Sequence, residues 1–310
     1  MKNKKIFNYL CQVKHQYILK KIRKVKIINL LYCFAGILYR IPNKYYIEYN
    51  QKFFKILKEG LLIMNLSAKK VLMAVLVVTM IMVMGTAAMA KTYTVGTSAS
   101  FPPFEYVENG EVTGFDIDLI KEIGKVEGFE VQVKDLSFDS LIPALKTGNI
   151  DIIAAGMTIT EKREKQVDFT EPYFVANQSV VVQEESGRDL TVLFGDNKIG
   201  VQTSTTGDLW VTDNLKKKDI LTGQIARYDK YIMVFTDLVN GNLDGVVLDT
   251  PVAKKYSESR PVKIVGEIKT GEKYGIAVKE GNKELLNKLN NGLKKLREEG
   301  KIGDLVSKYF

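Results

Sequence analysis

The chain has 310 residues, enough for two domains with cores of their own, and its net charge of +9 is unevenly spread. Residues 1–90 hold 16 basic residues against only Glu48 and Glu59, a balance of +14, which leaves residues 91–310 with 29 basic and 34 acidic groups, a balance of −5. An acidic body behind a basic leader excludes the nucleic-acid partner that the total suggests; with Cys11, Cys33 and His15 all in the leader, the body also lacks Ser/His/Asp and Cys/His catalytic sets and His/Cys zinc sites.

Residues 1–63 are basic (+12), and their apolar stretch Ile27–Leu38 is too short to span a bilayer. A complete secretory signal begins at Met64. Lys69 and Lys70 form the charged region, Val71–Met84 the apolar run, and Ala88-Met89-Ala90 the small-residue site, so cleavage is predicted after Ala90, with export to the periplasm. Residues 1–63 then read as an extension upstream of the true start, the alternative being a membrane-surface segment. An uncleaved anchor is the alternative for the run itself, which falls short of the ~20 residues of a span. No cysteine stands at the cleavage site to take a lipid.

Beyond Ala90 strands and helices alternate, the pattern of an α/β architecture. Thr92–Thr97 reads as a strand, and Phe115–Val126 as a helix with Phe115, Leu119, Ile120 and Ile123 on one face. Gly128–Lys134 reads as a strand, Asp139–Lys146 as a helix closed by Gly148, and Ile150–Ala154 and Val180–Gln183 as buried strands. A second set follows: the strand from Lys198, a helix from about Gly207, a helix near Phe235–Val239 and the strand Gly245–Leu248. Lys283–Phe310 reads as helical, with Leu285, Leu286, Leu289, Leu293 and Leu296 at core spacing. Gly148-Asn149-Ile150-Asp151 returns as Gly241-Asn242-Leu243-Asp244, each copy between a helix and a buried strand, which supports two lobes of similar build.

Four clusters carry candidate chemistry. Ser98 to Tyr106 makes a proline-stiffened loop at the carboxyl end of the first strand, where open α/β sheets bind ligands. In it Phe104 reads as core, while Phe101 is divided between core and site. Ala155 to Arg163 places Thr160 as the N-cap of a short helix at Glu161–Lys165, with Thr158 near the Arg163 guanidinium; the arginine is either a carboxylate receptor or a solvated cation among Glu161, Lys162 and Glu164. Gln202 to Gly207 supplies hydroxyls and N–H groups at a helix start, as an anion site or as a plain cap. Asp249 ends an apolar strand before Thr250-Pro251, positioned to hold an ammonium or to cap the next helix. Together the clusters describe receptors for both ends of a zwitterion.

Residues 91–310 resemble the solute-binding proteins of polar amino-acid ABC transporters, the group containing glutamine- and lysine/arginine/histidine-binding proteins. The resemblance rests on VGTSASFPPFEY, GFDIDLIKEI, FDSLIPALKTGNIDIIAAGMTITEKRE, VDFTEPYF, IGVQTSTTG, DGVVLDTP and GIAVKEG…LREEGKIGDLVSKYF, in the family's order. It implies an α/β, two-lobed periplasmic-binding-protein fold (type II) with two crossover hinge strands, one lobe spanning 91–178 plus 273–310 and the other 183–268. It implies that Arg163 pairs with the α-carboxylate of a free amino acid, assisted by Gly156, Thr158, Thr205 and Thr206, and that Asp249 takes the α-ammonium. By the same resemblance Phe101 and Phe138 sandwich the side chain, while Ser98 and Gln202 touch its distal end. Binders of arginine or lysine often carry an acid where this chain has Ser98, which argues for a neutral polar ligand unless Glu105 turns inward. The implied partners are the free amino acid and the membrane subunits of an ABC importer, with no cofactor, the protein acting as a monomer. The rival reading is an enzyme on the same fold, since some dehydratases resemble the family, but no second acid is marked beside Asp249.

Overall fold

The structure, a computed structural model, describes residues 91–310. The upstream extension, the secretory signal and its cleavage site lie outside the described residues. No helix among the described residues is long and apolar enough to cross a membrane.

Two five-stranded sheets organise the chain. The first has the order β5-β1-β6-β13-β7, from β1 (Lys91–Thr97), β5 (Phe129–Asp135), β6 (Ile152–Ile153), β7 (Val167–Phe169) and β13 (Ala277–Lys279). The second has the order β10-β9-β11-β8-β12, from β8 (Phe174–Gln183), β9 (Ile199–Gln202), β10 (Ile225–Tyr228), β11 (Gly245–Asp249) and β12 (Val262–Tyr274). A small antiparallel sheet of β2 (Ser100–Phe101), β3 (Glu105–Glu108) and β4 (Glu111–Thr113) leads from β1 into the first helix. In the first sheet β1 runs parallel to both β5 and β6; in the second β9 runs parallel to β10 and β11. Each sheet is the centre of a lobe.

Helices α1 (Phe115–Glu127), α2 (Phe138–Thr147) and α7 (Lys283–Glu298) belong to the first lobe. Phe115, Leu119, Ile120 and Ile123 of α1 are fully buried, so the predicted face is the packed one. Gly292 of α7 stands where a Cβ would come within 2.6 Å of the Ile123 side chain, and this glycine lets the two helices approach closely. The second lobe adds α4 (Thr206–Asn214), α5 (Tyr231–Val239) and α6 (Thr250–Ser259). Its core sets Val201, Val211, Leu221 and Val247 against one another. The short α3 (Glu161–Glu164) belongs to the first lobe, and α8 (Lys301–Tyr309) closes the chain.

Two expectations are corrected. The helical stretch 283–310 is two helices, because Gly300 takes the left-handed conformation (φ 75°) between them. The strand expected at 180–183 is the end of the ten-residue β8. Its first half carries Asn177 and Gln178, so no local apolar run announces it. β8 pairs antiparallel with β12 from Val262–Gln183 to Tyr274–Phe174, with register shifts at Ile264/Gly266 and Ile268/Glu272. These two strands cross between the lobes.

The repeated Gly-Asn-Ile/Leu-Asp has a common geometry. Asp151 accepts the Thr94 N–H at 2.8 Å and returns its own N–H to the Thr94 carbonyl. Asp244 does the same with Lys198, whose N–H donates to its carboxylate at 2.7 Å. In each lobe the aspartate ties the start of one strand to the neighbouring strand, so the echo marks the same device used twice.

Candidate functional site

Four segments, each at an end of a sheet strand, meet between the sheets. Ala99 N–H donates to Asp135 at 2.8 Å and fixes the loop after β1, while the second lobe grips the same loop at Ser100. The Tyr231 N–H donates to the Ser100 hydroxyl at 3.0 Å, and the Tyr256 hydroxyl to its carbonyl at 2.9 Å. Phe104 is fully buried among Phe115, Phe174, Tyr274 and Phe310, as expected of core. Burying a phenylalanine contributes about 1.5–3 kcal/mol, which anchors the loop from below. Phe101 stacks between Phe104 and Tyr231, 5.7 Å from each, and faces the cavity described below.

Arg163 is buried, not solvated. Thr160 caps α3 by accepting the Arg163 N–H at 3.3 Å, which turns the arginine side chain inward. Nη1 donates to the Thr158 carbonyl at 2.7 Å, and Nη2 crosses to the Ser204 carbonyl at 3.0 Å. The guanidinium lies 5.2 Å from the centre of the Phe138 ring, so Phe138 packs on the cation. Burial lowers the Arg163 pKa to about 10, opposed by the negative charges of Glu272 and Asp249, and the group remains a cation at neutral pH.

Thr205 is the N-cap of α4; its hydroxyl accepts the Asp208 N–H at 3.2 Å and donates to the Gln202 carbonyl at 2.8 Å. Gln202 reaches back across the cleft and donates to the Ser98 hydroxyl at 3.1 Å. Asp249, 4% exposed, makes no side-chain cap to α6; instead the Tyr274 hydroxyl donates to it at 2.5 Å. Burial raises its pKa to about 7, reinforced by the charge of Glu272 and opposed by the Tyr274 hydrogen bond. Gly156 adopts φ 52° and gives its N–H to Asp116 at 2.8 Å, so the donor expected to assist a carboxylate is already engaged.

Ser98, Phe101, Phe138, Gly156, Thr158, Arg163, Gln202, Thr205, Thr206 and Asp249 line one narrow cavity, with Ala155 and Glu105. The ten residues that the resemblance assigns to the ligand therefore lie at one place. Glu105 faces inward: it is fully buried, and among the described residues neither carboxylate oxygen has a hydrogen-bond partner. Burial first, then the charges of Asp116 and Asp249, hold its pKa well above the usual carboxylate range. Ala155 opens the second cluster, but its apolar side chain carried no chemical signal of its own. Glu272, which bonds Thr158 and Thr206, gave none either, because it stands alone in a charged strand. Among the described residues no three His, Cys, Asp or Glu side chains gather as a metal site would require. The lining offers a cation, an anion, hydroxyls and aromatic faces, the means to enclose a small zwitterion but not a large or apolar molecule.

The family model of the bacterial extracellular solute-binding proteins, family 3, matches residues 93–310. A probable histidine-binding protein of Neisseria gonorrhoeae is 38% identical over 229 residues, covering 71% of this chain and 83% of its own. A putative ABC transporter arginine-binding protein 2 of Escherichia coli K12 is 37% identical over 249 residues, 78% of this chain and 99% of its own. Among solved structures, an ancestral arginine-binding protein bound to glutamine superposes with a TM-score of 0.66 at 44% identity, over 72% of this chain and 99% of that one.

Proposed function

This chain belongs to the bacterial extracellular solute-binding proteins of family 3, a family with the two-lobed type II fold, and we propose that it captures a free α-amino acid for an ABC importer. The observation that carries the proposal is the pairing of two buried, opposite charges on one cavity: Arg163 from the first lobe and Asp249 from the second. Each end of a buried zwitterion loses hydration worth several kcal/mol unless it is paired. A receptor with one charge on each lobe repays that loss only when the lobes meet, so the ligand favours the closed form. The proposed lobes are 91–178 plus 273–310 and 183–268, closing about β8 and β12, and the protein acts as a monomer exported by cleavage after Ala90.

The preference for a neutral side chain, which rested on Ser98, is revised. Glu105 places an unpartnered carboxylate on the cavity wall beside Ser98, and this supports a cationic distal group. Burial of this acid favours its neutral form, and a guanidinium or ammonium in the cavity would favour the carboxylate. The names of the histidine- and arginine-binding relatives point the same way. The second reading is a carboxamide side chain receiving a hydrogen bond from protonated Glu105, and the glutamine-bound relative favours it.

The test is calorimetry of residues 91–310, unfolded and refolded to remove carried-over ligand, against the free amino acids. Saturable binding of arginine, lysine or histidine ahead of glutamine supports the proposal, and binding of no amino acid overturns it. Because Glu105 is a buried acid of raised pKa, the type of group that general-acid catalysis uses, the same mixtures are assayed for consumption of the added compound.

A further inference from the structure

We propose that Glu272 fixes the hydrogen-bond direction of Thr158 and Thr206, and thereby makes the cavity select a free primary α-ammonium group; this rests on the amino-acid reading above. Glu272 stands on β12 where its pairing with β8 shifts register, and it belongs to neither lobe's cavity wall. One carboxylate oxygen accepts from the Thr158 hydroxyl at 2.8 Å and from the Thr206 hydroxyl at 2.5 Å. The other accepts from Gln178 Nε2 at 3.0 Å. The two threonines come from opposite lobes, and their hydroxyl oxygens lie 3.4 Å apart.

A hydroxyl has one hydrogen to give and two lone pairs, and a carboxylate only accepts. Both threonines therefore spend their hydrogen on Glu272. They line the ligand cavity on one side and, with Glu272, an outer groove on the other. What they retain for the cavity is acceptor capacity, so these two hydroxyls do not assist the α-carboxylate as the resemblance implies. Gln178 Nε2, at 3.5 Å from the Thr206 oxygen, adds a donor on the same side as Glu272 and leaves that direction unchanged. The surroundings agree: Asp249 is an acceptor, and the Gly156 N–H is held by Asp116.

This wall suits a group with three hydrogens to donate. An α-ammonium has them; an α-hydroxyl has one, and an acylated amine has one plus bulk. In Glu272→Gln the amide oxygen keeps the Gln178 Nε2 bond while the amide N–H₂ takes the place of the shared oxygen and meets both threonines, whose hydrogens are then released toward the cavity.

The experiment is calorimetry of refolded residues 91–310 with L-arginine and its α-hydroxy analogue, and with L-glutamine and its α-hydroxy analogue. The wild type is expected to prefer the amine strongly, and E272Q to reduce that preference by about tenfold or more, the size of one inverted hydrogen bond to a charged group. Thr158→Val, which deletes one oriented hydroxyl, is the second arm and is expected to reduce the preference as well. A purely structural role would weaken amine and hydroxy analogue by the same factor, and an unchanged ratio in both variants overturns the inference. If the wild type binds no amino acid, the underlying reading of the cavity is what fails.

Discussion

Arg163 of the first lobe donates to the backbone carbonyl of Ser204 in the second at 3.0 Å, while its other terminal nitrogen holds the Thr158 carbonyl at 2.7 Å. The guanidinium is thus held by both lobes, and only two of its five N–H groups are used in these bonds. The rest remain for a carboxylate.

Arg163→Ala is therefore expected to weaken amino-acid binding by about 3 kcal/mol or more, over roughly a hundredfold, since it strips a buried carboxylate of its partner. Arg163→Lys keeps the charge but loses the planar fork, and is expected to recover part of that loss only. Titration calorimetry of both variants checks this. An alanine variant within threefold of wild type would remove Arg163 from the receptor.

Glu105 makes a separate prediction about charge. Glu105→Gln is expected to weaken a cationic ligand by about 2–5 kcal/mol and to leave L-glutamine within a few-fold. Burial holds the Glu105 carboxyl well above its usual range and a bound cation would draw it back down, so cation binding is linked to proton loss. Affinity for a cation should then fall as pH is lowered, and calorimetry in buffers of different ionisation enthalpy should show proton release. Affinity that instead falls as pH rises marks the carboxamide reading, in which Glu105 stays protonated and donates.

Much of this site was legible in the sequence because its residues sit in short loops following apolar strands, where the chain must place polar groups at a sheet end. The Gly148 and Gly241 echoes, the Thr160 cap and the α1 face are local patterns, and local rules find them. The inward turn of Glu105 is different. It sits one residue after Phe104, and its burial depends on α5 of the other lobe closing over the loop through Tyr231 and Ser100. Glu272 and Tyr274 meet the site only through β12, whose pairing with β8 spans about ninety residues of chain. No window of sequence contains that contact. For the same reason the length of β8 was missed: its first half is a strand because β12 lies beside it.

Gly156 couples the loop to the ring beneath it. Its φ of 52° is left-handed, and a Cβ there would stand 2.6 Å from the Phe101 ring. Gly156→Ala is expected to strain the backbone by about 1–2 kcal/mol and to displace Phe101 from the cavity. The variant should show a lowered thermal midpoint and a binding loss greater than the stability loss alone explains. Unaltered affinity would mean that the Phe101 ring does not touch ligand.

Asp116 lies behind this loop, fully buried, accepting the Gly156 N–H at 2.8 Å and the Tyr173 hydroxyl at 2.5 Å. Burial raises its pKa from 3.8 to about 7, and these two hydrogen bonds oppose the rise without cancelling it. The sign follows from linkage: a raised folded-state pKa means that the folded form holds the proton more tightly. The associated stability is complete below pH 3.8 and is lost progressively up to about pH 7. Asp116→Asn presents an amide oxygen to the same two donors and never ionises. It should therefore gain stability over wild type by a few kcal/mol at pH 8 and by little at pH 4. Chemical denaturation of both proteins at the two pH values measures the difference. A gain that does not grow with pH would show that Asp116 is ionised in the fold, and that the loop carrying Gly156 is held by a charge instead of by a neutral acid.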